Sequence, residues 1–198
     1  AGRSEFQGTG FRNPIDFAFA PDDVIYVVNR CFESRSDGTR INVFRLGDEK
    51  EEYITEFGSY GERPGQFLWP MSIALDKDTN VYVSDEWLHR ISVYRSDGEY
   101  LRTWGTHGSG DGELDRPSGL AIGADGTLYA SDPDWARGKG QLWRLGLDGT
   151  VPRLETGRGT TNGIEVSPGE DRLYVNESVQ RKLGVKDESL DAALSNKR

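Results

Sequence analysis

The sequence is poor in cysteine and in long apolar runs. It contains a single cysteine, Cys31, so no disulfide can form within the chain. No apolar stretch approaches the roughly 20 residues that a helix needs to cross a bilayer, so we expect no membrane partner. No leader-like segment opens the sequence, but the first residue is alanine. A leader removed earlier would leave no trace, and the sequence predicts no compartment.

Basic residues are also scarce relative to acidic ones. The chain has 24 Lys and Arg against 33 Asp and Glu, which gives a formal net charge of −9. Affinity for phosphate groups depends on clustered basic side chains. We therefore expect neither nucleic acid nor an anionic membrane surface as a partner.

Segments with helical periodicity are few, whereas turn-forming and aromatic residues are abundant. The chain contains 25 Gly, 8 Pro, 8 Tyr, 8 Phe and 5 Trp. This composition is typical of many short strands joined by tight turns, and it predicts an all-β fold.

A repeat of about 50 residues runs through the chain. Four tyrosines end strand-like segments at spacings of 56, 47 and 45 residues, namely Tyr26, Tyr82, Tyr129 and Tyr174. Three residues after each tyrosine come Asn29, Asp85, Asp132 and Glu177. Such intervals lie near those of β-propeller blades, each a four-stranded antiparallel sheet. Two stacked sheets of a sandwich would account for the strands, but not for the repeated register.

We therefore predict a β-propeller built from four repeat units. The units cover about 11–58, 67–105, 114–159 and 160–183 within a repeat domain of residues 1–183, and 184–198 form a C-terminal tail. Inner strands are expected near 15–20, 71–76, 118–123 and 162–167. Either the units form an open or partial propeller, or they close irregularly into a four-bladed ring. An open arc would expose blade edges and favour self-association.

Two propeller families are similar to different parts of the chain. Residues about 11–118 resemble NHL repeats, through Asp85-Glu-Trp-Leu-His-Arg-Ile-Ser-Val-Tyr94 and the Phe-Gly and Trp-Gly pairs at 57–58 and 104–105. Residues about 117–183 resemble the SMP-30/gluconolactonase family, through Thr161-Asn-Gly-Ile164 and Leu173-Tyr-Val-Asn-Glu-Ser-Val-Gln-Arg181. Both families fold as propellers, usually of six blades.

The two resemblances imply different functions. The gluconolactonase-like family implies hydrolysis of a small sugar lactone or similar ester, with a divalent cation, often Ca²⁺, bound in the central channel. The NHL resemblance implies a noncatalytic scaffold that binds a small molecule or a protein partner. Because these alternatives stay open, the sequence assigns no catalytic residue.

The repeat register also selects the candidate metal ligands. Four positions at the starts of inner strands are equivalent, namely Ile15, Met71, Ser118 and Asn162. The gluconolactonase resemblance implies Asn162 as a metal ligand, with Ser118 and Asp132 as further candidates. An Asn-Gly pair also suits a turn, and a carboxylate after a strand readily accepts backbone N–H bonds. Those structural roles are the alternatives for Asn162 and Asp132.

Aromatic residues at strand-to-loop junctions are the candidate ligand-binding residues. They are Trp69, Trp87 and Trp135, and packing between blades is the alternative role for them. Trp104 and Trp143 lie within strands and are predicted to be core.

The two histidines are far apart in the repeat. An outer strand and a loop separate His89 from His107, and neither belongs to a zinc-like pair. We expect His89 to be a surface brace.

Overall fold

The computed structural model describes residues 10–31, 37–134, 140–146, 152–177 and 182–185. Within these ranges every helix or strand is a β-strand, as the composition predicts. The described part of the chain contains no helix with the length and apolar character needed to cross a bilayer.

The strands form four antiparallel sheets in chain order, which we call blades 1 to 4. Blade 1 contains β1 (Pro14–Phe19), β2 (Val24–Asn29), β3 (Arg40–Arg45) and β4 (Glu52–Phe57). Blade 2 contains β5 (Pro70–Leu75), β6 (Val81–Asp85), β7 (Arg90–Tyr94) and β8 (Tyr100–Trp104). A short parallel pair, β9 (Thr106–His107) and β10 (Glu113–Leu114), follows blade 2.

Blade 3 contains β11 (Leu120–Ile122), β12 (Leu128–Asp132), β13 (Gly140–Leu145) and β14 (Arg153–Arg158). Blade 4 contains β15 (Thr161–Val166), β16 (Leu173–Glu177) and β17 (Lys182–Val185).

The four blades confirm the predicted propeller-type architecture. In each sheet the strands are neighbours in sequence order, and the inner strand of each blade contacts the inner strand of the next. The final strand, β17, runs past residue 183, the predicted end of the repeat domain. Residues 186–198 of the predicted tail lie outside the described residues.

Hydrophobic cores lie between successive blades because side chains alternate across each strand. In β6, Val81 and Val83 face blade 1, whereas Tyr82 faces blade 3. The core between blades 2 and 3 is built around Trp143, which is completely buried. Burial of one large apolar side chain contributes roughly 1.5–3 kcal/mol, so these cores hold the blades together.

The repeated tyrosines show where the arc ends. Tyr26, Tyr82 and Tyr129 are 3%, 3% and 4% exposed, and each packs between its own blade and the next. The hydroxyl of Tyr26, for example, donates to the Ser96 carbonyl of blade 2 at 3.0 Å. In blade 4, Tyr174 is 38% exposed. Its ring occupies the position that a following blade would cover.

The other end of the arc is an apolar face of blade 1. Phe17 and Phe19 are 55% and 63% exposed. Beside them lies a groove of about 410 Å³ whose lining includes Ile25, Val27 and Leu46. The described residues therefore form an open propeller segment with an uncovered sheet face at each end.

Candidate functional site

The starts of the inner strands and the loops between second and third strands meet at one edge of each blade. In blade 2, antiparallel pairing places Pro70 opposite Asp85, and Asp85 opposite Arg90. The same register holds in blade 1. We call this edge the upper face, and it includes the segments that lead into β1, β5, β11 and β15.

A buried carboxylate organises the upper face of blade 2. Asp85 is completely buried and accepts four backbone N–H bonds, from Leu68 at 2.8 Å, Trp69 at 3.1 Å, and Trp87 and Leu88 at 3.0 Å. Burial raises the pKa of Asp85, and the four hydrogen bonds oppose that rise. One side chain thus fixes both segments that carry the candidate tryptophans.

The equivalent residues of blades 1 and 3 make the same kind of contact. The side-chain oxygen of Asn29 accepts an N–H bond from the segment before β1 at 2.7 Å. The carboxylate of Asp132 accepts the N–H groups of Asp115 at 2.9 Å and Arg116 at 2.5 Å, and the indole N–H of Trp143 at 3.1 Å. Burial raises the pKa of Asp132, against the opposing effect of these bonds. The contacts are those of a structural brace, and a metal-binding role for Asp132 stays a prediction.

Two of the three candidate tryptophans lie together on the upper face. The rings of Trp69 and Trp87 stack with centroids 4.6 Å apart and planes 12° apart. The guanidinium of Arg30 packs over the Trp69 ring at 4.2 Å from its centroid, and its Nη1 lies 2.9 Å from Sδ of Met71. We call Arg30, Trp69 and Trp87 the aromatic cluster. Trp87 is 41% exposed, so the cluster presents an indole to solvent.

Charged groups border the aromatic cluster. Glu86 is 5% exposed, and its carboxylate lies 3.8 Å from Nη2 of Arg116. Partial burial lowers the pKa of Arg30, and the nearby Glu86 opposes this effect. The third candidate, Trp135, lies outside the described residues.

The structure brings together two of the predicted metal ligands. The hydroxyl of Ser118 donates to Oδ1 of Asn162 at 2.7 Å. The backbone carbonyl of Asn162 accepts the N–H of Gly119 at 3.0 Å and the hydroxyl of Ser131 at 2.6 Å. A Cβ at Gly119 would overlap that carbonyl, so glycine permits the close approach of blades 3 and 4.

The rest of this row does not complete a calcium site. Ile15 and Met71 are apolar, and Asp16 instead joins blades 1 and 2 by accepting the Ser72 hydroxyl at 2.6 Å and the Ile73 N–H at 3.0 Å. Ca²⁺ takes six to eight oxygen ligands, usually including carboxylates. The four equivalent positions supply one amide and one hydroxyl oxygen. By themselves they do not fit a calcium ion.

A further cluster contains both histidines. The rings of His89 and His107 lie 4.1 Å apart, Nε2 of His107 is 3.3 Å from Oδ1 of Asp115, and Nδ1 of His89 contacts the carbonyl oxygen of Asp115. Sequence reasoning missed this cluster because its residues come from three separate segments. The scarcity of histidine, with two in the chain, is the signal that could have drawn attention to it.

One family model matches the C-terminal part of the chain. The family model described as the SMP-30/gluconolactonase/LRE-like region matches residues 90–198, more than half of the sequence. The chain belongs to this family. No curated protein matches the chain with significant similarity.

Similar solved structures are propeller proteins with different partners. A chain of a nidogen/laminin complex is 24% identical with a TM-score of 0.65, and the match covers 87% of this chain and 59% of that one. A catalytically inactive virginiamycin B lyase from Staphylococcus aureus, with quinupristin, is 14% identical with a TM-score of 0.64, covering 90% and 53%. A streptogramin B lyase is 12% identical with a TM-score of 0.65, covering 88% and 51%. These likenesses show the fold, and the chain spans little more than half the length of these proteins.

Proposed function

We propose that the upper face binds a small polar molecule of the sugar-lactone or related ester class. The observation that carries the proposal is the aromatic cluster, in which two stacked indoles and a guanidinium are held together beside an inner strand. An aromatic ring with an exposed face, bordered by charged groups, is a common arrangement for binding a ligand with both apolar and polar sides.

The groups of the cluster match the two sides of such a ligand. The C–H face of a sugar ring can pack on the exposed indole of Trp87. Arg30 supplies N–H donors in a planar fork, which suits a carbonyl or carboxylate oxygen. Because Asp85 binds the backbone at both tryptophans, the surface is preorganised before a ligand arrives.

Hydrolysis of the bound lactone is the second candidate function. Membership of the gluconolactonase-like family favours it. A divalent cation in the channel would supply Lewis acidity toward the ester carbonyl. Such an ion needs carboxylate ligands in addition to the Ser118–Asn162 pair.

Calorimetric titration tests the binding proposal. We expect glucono-1,5-lactone or gluconate to bind the wild-type chain, and Trp87→Ala to weaken the affinity by about tenfold, the loss of one stacked aromatic contact. Tyr174→Ala removes a similarly exposed aromatic residue from blade 4 and serves as the matched control. Equal affinity of the wild type and Trp87→Ala would overturn the assignment of the aromatic cluster. If instead a protein partner is retained in a pull-down and no sugar derivative binds, the noncatalytic scaffold is the better description.

Acid release in a pH-stat tests hydrolysis separately. The rate above spontaneous opening of the lactone is measured with and without Ca²⁺, Mn²⁺ and Zn²⁺. A metal-dependent rate that Asn162→Ala abolishes would support the lactonase role. Binding of lactone without any added acid release would leave a binding protein and reject the hydrolase.

A further inference from the structure

The cluster of His89, His107 and Asp115 lies on the upper face where blades 2 and 3 meet. His89 belongs to the β6–β7 loop, His107 ends β9, and Asp115 follows β10. One potential ligand atom from each of these residues lies within 4.8 Å of the other two. Three separate segments of the chain therefore bring two imidazoles and a carboxylate close together.

Contacts around His89 leave one ring nitrogen available as a ligand. Nδ1 contacts the carbonyl oxygen of Asp115, which can only accept a hydrogen bond, so Nε2 is the ring nitrogen left to bind a metal ion. Metal-bound histidines usually make this second contact, which sets the tautomer and the ring orientation. The backbone of His89 is also unusual, with a φ of 53°. That left-handed conformation is uncommon for residues other than glycine, and it fixes where the ring projects.

Asp115 uses its backbone and its side chain for different contacts. Its N–H donates to the buried Asp132 at 2.9 Å, and its carbonyl accepts from His89. Its carboxylate, by contrast, faces His107, with Oδ1 3.3 Å from Nε2. Replacement of the carboxylate therefore leaves the backbone contacts of Asp115 in place.

The ligand set favours a transition metal over calcium. Two imidazole nitrogens and one carboxylate oxygen suit Zn²⁺, Co²⁺ or Ni²⁺, whereas Ca²⁺ prefers oxygen ligands alone. Zn²⁺ at about 2.0–2.1 Å from each atom in tetrahedral geometry needs the ligand atoms about 3.3 Å apart. The His107 side chain is 68% exposed, so its rotation can bring the ligand atoms to this separation.

We propose that His89, His107 and Asp115 form a peripheral transition-metal site that clamps blade 2 to blade 3. The site has three protein ligands, and water takes the fourth position. It is separate from the aromatic cluster and from the Ser118–Asn162 pair, and it does not depend on the proposed function.

Direct metal titration of the tag-free full chain tests this proposal. We expect calorimetry to show one equivalent of Zn²⁺ bound, Co²⁺ to give visible absorption bands typical of tetrahedral coordination, and Zn²⁺ to raise the melting temperature. Ca²⁺ at the same concentration is expected to leave the melting temperature of Asn162→Ala unchanged, whereas Zn²⁺ still raises it. His107→Ala and Asp115→Asn should each weaken Zn²⁺ binding by about tenfold or more, since loss of a direct ligand costs at least as much as loss of a supporting contact.

Two control variants separate this site from other carboxylates and from the Ser118–Asn162 pair. Asp111→Asn removes an exposed acidic residue from the β9–β10 loop, and Asn162→Ala removes the amide of that pair. Both should bind Zn²⁺ as the wild type does. Absence of Zn²⁺ binding to the wild type, or wild-type affinity in both His107→Ala and Asp115→Asn, overturns the proposal. Loss of the site in Asn162→Ala alone would also overturn it.

Discussion

The junction between blades 2 and 3 and the outer face of blade 1 are built from the same strand pattern but have opposite environments. At the junction, Trp143, Leu128 and Tyr82 are 0%, 1% and 3% exposed. On the outer face of blade 1, Phe17 and Phe19 are 55% and 63% exposed. Alternation along a strand determines which residues point toward a neighbouring blade. Whether a neighbouring blade covers those residues depends on other segments of the chain, not on the strand itself.

The repeat positions show the same contrast on single residues. Tyr82 and Tyr174 occupy equivalent places in their blades, yet one is buried against blade 3 and the other is 38% exposed. The fold is therefore stabilised mainly by its interior junctions. Substitutions there and at the open ends should differ sharply in cost.

Truncation of the junction tryptophan should have the largest effect. Trp143→Ala empties a completely buried site and removes an indole N–H bond to Asp132. We expect it to lower the free energy of unfolding by about 3–5 kcal/mol, measured by urea denaturation. Phe17→Ala is the matched control and should cost less than about 1 kcal/mol. Similar costs for the two variants would show that blade 1 is covered in solution.

Removal of the carboxylate in blade 2 should have the next largest effect. Asp85→Asn leaves one acceptor oxygen for the N–H groups that the buried carboxylate now accepts. We expect a loss of about 2 kcal/mol in stability and weaker ligand binding at the aromatic cluster. In blade 4 the equivalent change, Glu177→Gln, affects a half-buried residue and should cost less. Equal losses of stability in the two variants would mean that the buried position of Asp85 adds nothing to its contribution.

Alkaline pH should lower the free energy of unfolding through Tyr82, which is buried between blades 2 and 3. Burial, together with the nearby Asp76, raises the pKa of Tyr82 to about 12, against about 10 in an unfolded chain. The stability that this shift contributes is complete below pH 10 and is lost as the pH rises from 10 through 12. Tyr82→Phe should flatten this part of the curve of unfolding free energy against pH. An identical alkaline decline in the variant would assign the effect to other groups.

Polar substitution on the outer face of blade 1 should change stability least. Phe17→Ser and Phe19→Ser alter exposed side chains, so we expect the free energy of unfolding to stay within about 0.5 kcal/mol of the wild type. The predicted self-association through the open ends should decrease, because these rings form part of the exposed apolar face. Sedimentation velocity across a range of concentrations measures this change. A wild-type chain that stays monomeric throughout would reject the self-association hypothesis.

Local periodicity was sufficient to predict the blades. The tyrosine spacing indicated a propeller of four repeat units, and the apolar alternation located the inner strands to within about two residues of β1, β5, β11 and β15. Burial of Trp143 followed from its place within a strand. The resemblance to the gluconolactonase-like family is confirmed by the match to residues 90–198.

Contacts between segments were harder to predict. Trp69 and Trp87 were each placed at a junction, but their stacking depends on Asp85 binding both backbones. His89 lies in the β6–β7 loop and His107 in β9, and the two rings meet only in the folded chain. No spacing rule within one strand contains that information.

The carboxylate of Asp132 connects the proposed metal site to the fluorescence of Trp143. Its Oδ2 accepts both the backbone N–H of Asp115 and the indole N–H of Trp143. An ion held by the Asp115 side chain would shift that peptide and, through the shared oxygen, the polarity around the indole. The fluorescence of the buried Trp143 would then change when an ion binds to His89, His107 and Asp115. Trp143→Phe would remove this fluorescence change while the ion still binds.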